Sequence, residues 1–104
     1  MEARKYKLEI LAPAQAEFEE IARVHMALSG PSSARKITNK IYEALSQLTQ
    51  FPLSGPAIQD SELRMADFRY LCVEPYLIFY RFFESTIIVY HIVHGSRDYP
   101  KLFK

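Results

Sequence analysis

Several things are scarce in this sequence, and each scarcity excludes something. Among 104 residues there is one cysteine, Cys72, so no internal disulfide is possible. Three glycines and no Gly-rich run leave no phosphate-cradling loop. No serine or cysteine sits in a nucleophile-elbow motif. No stretch approaches the roughly 20 apolar residues a transmembrane helix requires, so no membrane association is expected. Neither sign of charge is in excess: 13 Lys and Arg against 12 Asp and Glu give a net charge of +1. Such a balance neither demands nor forbids a nucleic-acid partner. Met1-Glu2-Ala3-Arg4-Lys5 leads directly into a strand-like pattern, so no signal peptide is expected. These features together place the expected location in the cytoplasm.

What is abundant is apolar side chain, 49% of residues against 24% charged, which suits one soluble domain over residues 1–104. It is densest from Phe68 to Val93, broken only at Glu74-Pro75 and Glu84-Ser85. Runs of strand length between turn residues predict an antiparallel meander of Phe68–Val73, Tyr76–Phe83 and Thr86–His94. A two-residue turn at Glu84-Ser85 would set Phe83 opposite Thr86, Arg81 opposite Ile88, Phe79 opposite Tyr90 and Leu77 opposite Ile92. Both faces of that hairpin are apolar, and Cys72 reads as core filling within it. Two helices can cover only one face of a small sheet. The other is expected to meet the C-terminal tail, a second copy or a separate protein.

Upstream, Tyr6, Leu8 and Ile10 alternate with Lys7 and Glu9, which predicts a half-buried strand over 6–11. A helix then starts at Ala12-Pro13, with Glu17, Glu19 and Glu20 toward its positive end. Phe18, Ile21, Ala22, His25 and Leu28 make its apolar face, and Gly30-Pro31 stops it. A second helix begins at Pro31-Ser32-Ser33, capped by a serine, and ends near Phe51-Pro52. Its apolar face is Ile37, Ile41, Ala44, Leu45 and Leu48. A link of about four residues forces an antiparallel helical hairpin. Residues 51–60 read as a loop and 62–65 as a short strand. The expected fold is α+β: an N-terminal strand and a two-helix hairpin packed on a four- to five-stranded, mainly antiparallel sheet.

For chemistry, His91 and His94 lie three apart on a strand, on opposite faces, so no shared metal is expected, nor any cofactor. What remains is Arg64, Arg81, Arg97, His94, Tyr99 and the locally basic tail with Lys101 and Lys104. Arginine matches phosphate geometry and stabilises developing charge, while imidazole or phenol can move a proton. The plain alternative for Arg81 is pairing with a surface acid such as Glu62, Glu74 or Glu84. Arg97 follows Gly95-Ser96, in a strand-end loop of the kind that favours function.

The element order, joined by Leu63-Arg64, by Tyr76-Leu77-Ile78-Phe79-Tyr80-Arg81 and by His94-Gly95-Ser96-Arg97-Asp98 before Leu102-Phe103, resembles the RelE/ParE superfamily. Those are bacterial toxins of type II toxin–antitoxin pairs, and the resemblance covers essentially the whole chain. It implies growth arrest and a cognate antitoxin that wraps the toxin. The first reading it implies is a metal-independent, ribosome-dependent endoribonuclease acting on mRNA, as in the RelE branch. Arg64 and Arg97 would then act on the scissile phosphate, with Tyr99 or His94 moving the proton and Arg81 as a further catalytic candidate. The alternative is a ParE-like inhibitor of DNA gyrase with no catalytic activity, and a third is a non-toxic binding module of the same fold.

Overall fold

The structure, a computed structural model, describes residues 5–103. The leader expectation and Lys104 of the basic tail rest on residues outside that range. The elements are β1 (Lys7–Ile10), α1 (Ala12–Gln50), α2 (Ser61–Met65), β2 (Arg69–Val73), β3 (Tyr76–Phe83), β4 (Thr86–His94) and a 3-10 helix, Tyr99–Phe103. The sheet order is β1-β4-β3-β2; β2, β3 and β4 form the antiparallel meander, and β1 joins parallel to β4. The α+β expectation holds, with four strands.

α1 is two helical arms, 12–29 and 31–50, meeting at Gly30, whose φ of +86° no helix accommodates. Phe18 and Tyr42 would lie about 36 Å apart on a straight helix. Their ring centroids are 5.1 Å apart, so the arms run antiparallel. The hairpin is as expected, but its link is one residue rather than about four, because glycine turns the chain and Pro31 suits a helix's first turn. The serine cap does not form as expected: the Ser33 hydroxyl lies 3.1 Å from His25 Nδ1, whose Nε2 meets the Tyr76 hydroxyl at 2.9 Å. Leu28 is 80% exposed rather than on a buried face, since it sits at the hairpin tip beside Gly30.

Two further expectations fail for local reasons. Residues 61–65 are helix, not strand, because the Asp60 carboxylate caps the Leu63 N–H at 3.2 Å and buried Leu63 anchors the turn. Cys72 is exposed rather than core, because β2 is an edge strand.

The β3–β4 turn uses Glu84 and Ser85, both at positive φ (49° and 64°), the handedness two-residue hairpins require. Near it the register is as expected: Phe83↔Thr86 and Arg81↔Ile88. A bulge between Phe79 and Tyr80 then shifts the ladder by one, pairing Phe79 with His91 and Leu77 with Val93. Tyr90 is the extra residue on β4. Ile92 consequently joins Ile87 and Val89 on the helix side, and Val93 joins Phe79 on the other side. The Ile92 N–H, turned out beside the bulge, donates to Glu17 Oε1 of α1 at 3.0 Å, and His91 Nδ1 donates to Glu17 Oε2 at 3.0 Å.

The helix-side core packs Ile21, Ile37, Ile41, Leu45 and Leu48 onto Ile78, Tyr80, Ile87, Val89 and Ile92. The second face is covered by the chain's own end, one of the three covers expected. Tyr99 stacks on Phe79 (5.1 Å, 29°), and Phe103 meets Phe68 at 4.8 Å and His91 at 5.1 Å. That cover stops short of the β3–β4 turn, where Phe83 is 53% exposed.

The loop after α1 is tied to the sheet by Tyr80, buried completely. Its hydroxyl donates to Pro52 O (2.8 Å) and accepts from Gly55 N–H (3.0 Å). A Cβ at Gly55 would run into the Tyr70 carbonyl and lie 2.8 Å from that hydroxyl, so only glycine fits. Tyr80→Phe should therefore cost about 1–3 kcal/mol, the penalty for orphaning a buried amide and carbonyl, read as a lower urea midpoint at unchanged slope. Burial raises the Tyr80 pKa above the ordinary tyrosine value, against the smaller opposing pulls of the Gly55 hydrogen bond and Arg69. Its folded form keeps the proton after the unfolded chain has lost it. Stability should thus be intact below about pH 10 and fall as pH rises further, and Tyr80→Phe should flatten that fall. Glu17→Ala strips the bulge of its acceptor and should likewise cost about 2 kcal/mol, with faster amide exchange at Ile92.

Candidate functional site

The loop 53–60 and α2 are positioned by arginines that serve backbone carbonyls. Arg69 Nη1 donates to Gly55 O (2.7 Å) and Leu53 O (3.4 Å). Arg64, on α2, turns back: its Nε donates to Ile58 O at 3.0 Å and Nη2 to Gln59 O at 3.3 Å. This brings Gln59 against the second sheet face. There a cavity of about 330 Å3 is lined by Gln59, Tyr70, Leu77, Phe79 and Tyr99. Two phenols, one amide and two apolar side chains make a binding surface. It holds no carboxylate, imidazole or ammonium group to move a proton near neutral pH.

Arg97 lies elsewhere. It is exposed beyond β4, its N–H donating to His94 O at 3.0 Å. It lines a cleft of about 160 Å3 with Glu17, Glu20, Ile21, Ile92, Val93 and His94. His94 Nδ1 accepts from the Ser96 N–H at 3.1 Å and lies 2.8 Å from Ser96 Oγ. The carboxylates of Glu17 and Glu20 border this cleft, which makes it a poor seat for a phosphate.

Arg81 belongs to neither cavity. Its guanidinium carbon lies 5.4 Å from the Phe68 ring centroid and 5.7 Å from that of Phe83. It makes no ion pair with Glu62, Glu74 or Glu84, and its Nε is buried without a hydrogen-bond partner. The five candidates thus divide: Tyr99 at one cavity, Arg97 and His94 at another, Arg64 on the carbonyls of Ile58 and Gln59, and Arg81 over two aromatic rings. Among the described residues no three His, Cys, Asp or Glu side chains gather as a metal site, and no helix is long and apolar enough to cross a membrane.

Reading the sequence missed Gln59 and Tyr70 of the cavity, and Glu17 and Glu20 of the cleft. Glu17 did carry a signal. It falls three residues after Ala14 and four before Ile21, both buried, so it lies on the inward stripe of the helix. An acid there needs an internal partner. Gln59 carried none, because only the fold of the loop brings it to the sheet.

The model of one protein family, described as ParE toxin of type II toxin-antitoxin system, parDE, matches residues 8–99. None of the curated proteins matches the sequence. Among solved structures, a chain of the chromosomal ParDE toxin–antitoxin system from P. aeruginosa superposes with a TM-score of 0.72 at 22% identity, covering 88% of this chain and 97% of that one. A chain of the toxin–antitoxin complex RelBE2 from Mycobacterium tuberculosis gives 0.64 at 19% identity, covering 86% and 98%.

Proposed function

The chain belongs to the ParE toxin family of type II toxin–antitoxin systems, within the RelE/ParE superfamily, and on that premise we propose that it arrests bacterial growth by binding DNA gyrase in the cytoplasm rather than by cutting RNA. A cognate antitoxin is its second partner. The observation that carries the non-catalytic reading is the dispersal of the residues assigned to phosphate chemistry. Cleavage of one phosphodiester needs its charge-stabilising and proton-moving groups within hydrogen-bond reach of one reacting centre. Arg97 and His94 line a cleft that neither Arg64 nor Tyr99 lines, and Arg64 spends two donors on the carbonyls of Ile58 and Gln59. The charge distribution supports the same reading. Residues 52–63 contain no lysine or arginine and the net charge is +1, whereas gripping mRNA on a ribosome depends on neutralising its backbone. The two solved structures described above come from toxin–antitoxin systems, which supports the antitoxin as partner.

The test is a pulse of labelled thymidine and labelled methionine after inducing the chain alone in a bacterial host. Thymidine incorporation should fall first, and the purified chain should inhibit gyrase supercoiling. Arg97→Ala should lower potency by less than about tenfold, since removing a true transition-state donor typically costs 100-fold or more. An early fall in methionine with new mRNA 5′ ends, abolished by Arg64→Ala, would return the assignment to an endoribonuclease built around Arg64 and Tyr99.

A further inference from the structure

Arg81, like Arg64, lines neither cavity, but its surroundings are unusual for a cation. The guanidinium sits between Phe68 and Phe83, with Nε removed from solvent and unpaired. Both rings lie within cation–π distance of its charge, at 5.4 Å and 5.7 Å. Among the described residues no carboxylate ion-pairs with it, although two other cations do find one: Arg23 with Glu20 and Lys101 with Asp98. Arg64 and Arg69 differ too, since both donate to carbonyls. Buried polar groups in folded proteins are nearly always satisfied. Nε itself is shielded from any outside acceptor; the terminal nitrogens of the fork, on a side chain of intermediate exposure and with no ion pair inside the chain, are the donors that a partner's acceptor can meet.

The surface around it says what kind of acceptor. Arg81 lies at the end of the second sheet face that the C-terminal 3-10 helix leaves open, beside half-buried Ile88 and exposed Phe83. The row continues across β4 to Glu9 on β1, which pairs with Ile88. The next row runs from Phe83 through Thr86 to exposed Lys7, so this end of the face carries two cations and the acid Glu9, fewer than the several cations along a track that a nucleic-acid backbone needs. It fits a protein segment that presents one carboxylate beside an apolar side chain, with the rings excluding water from a bidentate pair.

We propose that Arg81, clamped between Phe68 and Phe83, is the anchor for a single Asp or Glu carboxylate of the antitoxin, whose neighbouring apolar side chain covers Phe83 and Ile88. This rests on the reading that a cognate antitoxin exists. In the free toxin the clamp keeps the fork in place, so little side-chain freedom is lost on binding.

The experiment is calorimetric titration of the purified toxin with the product of the adjacent reading frame, and of its Arg81→Met and Arg81→Lys variants. Arg81→Met keeps the packed stem and removes the fork. It should weaken binding by about thirtyfold or more, as truncating one partner of a buried charge pair does, while the melting temperature of the free toxin stays level or rises. Arg81→Lys keeps the charge without the planar fork and should fall between the two. Arg81→Glu should be rescued by one Asp→Arg or Glu→Arg change in the antitoxin. Equal affinity of wild type and Arg81→Met overturns the proposal while leaving the antitoxin reading intact. No binding to the wild type overturns both. Weakened binding to a single-stranded oligonucleotide, with antitoxin affinity unchanged, would make Arg81 a phosphate receptor and overturn the carboxylate assignment.

Discussion

The facing of every β4 residue after Val89 depends on one inserted residue, Tyr90, and on the carboxylate that makes the insertion tolerable. A bulge leaves a backbone N–H without its ladder partner, and a buried one costs about 1–3 kcal/mol if nothing accepts it. Glu17 of α1 accepts from Ile92 N–H and holds His91 beside it. The same contact fixes the first helical arm against β4. Without the bulge, Ile92 would face the C-terminal segment and Val93 the helices, and the two cores would exchange residues. Because His91 also packs on Phe103, one carboxylate connects the helical hairpin, the bulge and the cover of the second face.

Much of this was legible in the residues. The β3 and β4 limits follow from the Glu84-Ser85 break, and the helical hairpin from Gly30-Pro31, because turn residues act locally. The exceptions are non-local. The bulge lies mid-strand between apolar residues, where a shift of one changes no pattern a single strand displays. Cys72 reads as core until β2 is known to be an edge. The 61–65 stretch alternates weakly enough to pass for a strand. Only the Asp60 cap and the bridge of Ala57 to Arg69, which takes the edge of the sheet, make it a turn of helix. The candidate residues were the least legible part. Arginines that look equivalent in sequence differ in what their donors face.

That difference separates structural arginines from interacting ones. Arg69 and Arg64 spend their donors on carbonyls of residues 53–59, a stretch with one proline and one glycine that forms no regular secondary structure of its own. They hold the loop against β2 and place Gln59 over the sheet, so removing either should disturb the cavity whatever the cavity binds. Loss of function on mutating Arg64 alone would therefore not identify a catalytic group. The informative readout is one that changes with chemistry and not with loop position, such as the ends of cut mRNA.

Arg81 presents the opposite case. A shielded, unsatisfied Nε lowers the stability of the free chain even though Arg81 as a whole is only partly buried. A stripped-down hydrophobic at this position would pack between Phe68 and Phe83 with no orphaned donor. Selection for folding alone gives no reason to keep an arginine there. Catalysis gives none either, since the clamp holds the fork against aromatic rings and away from both the Tyr99 cavity and the Arg97 cleft. A bound state in which the fork is paired and dry supplies the missing reason. The free chain would then carry a modest loss of stability that the complex offsets.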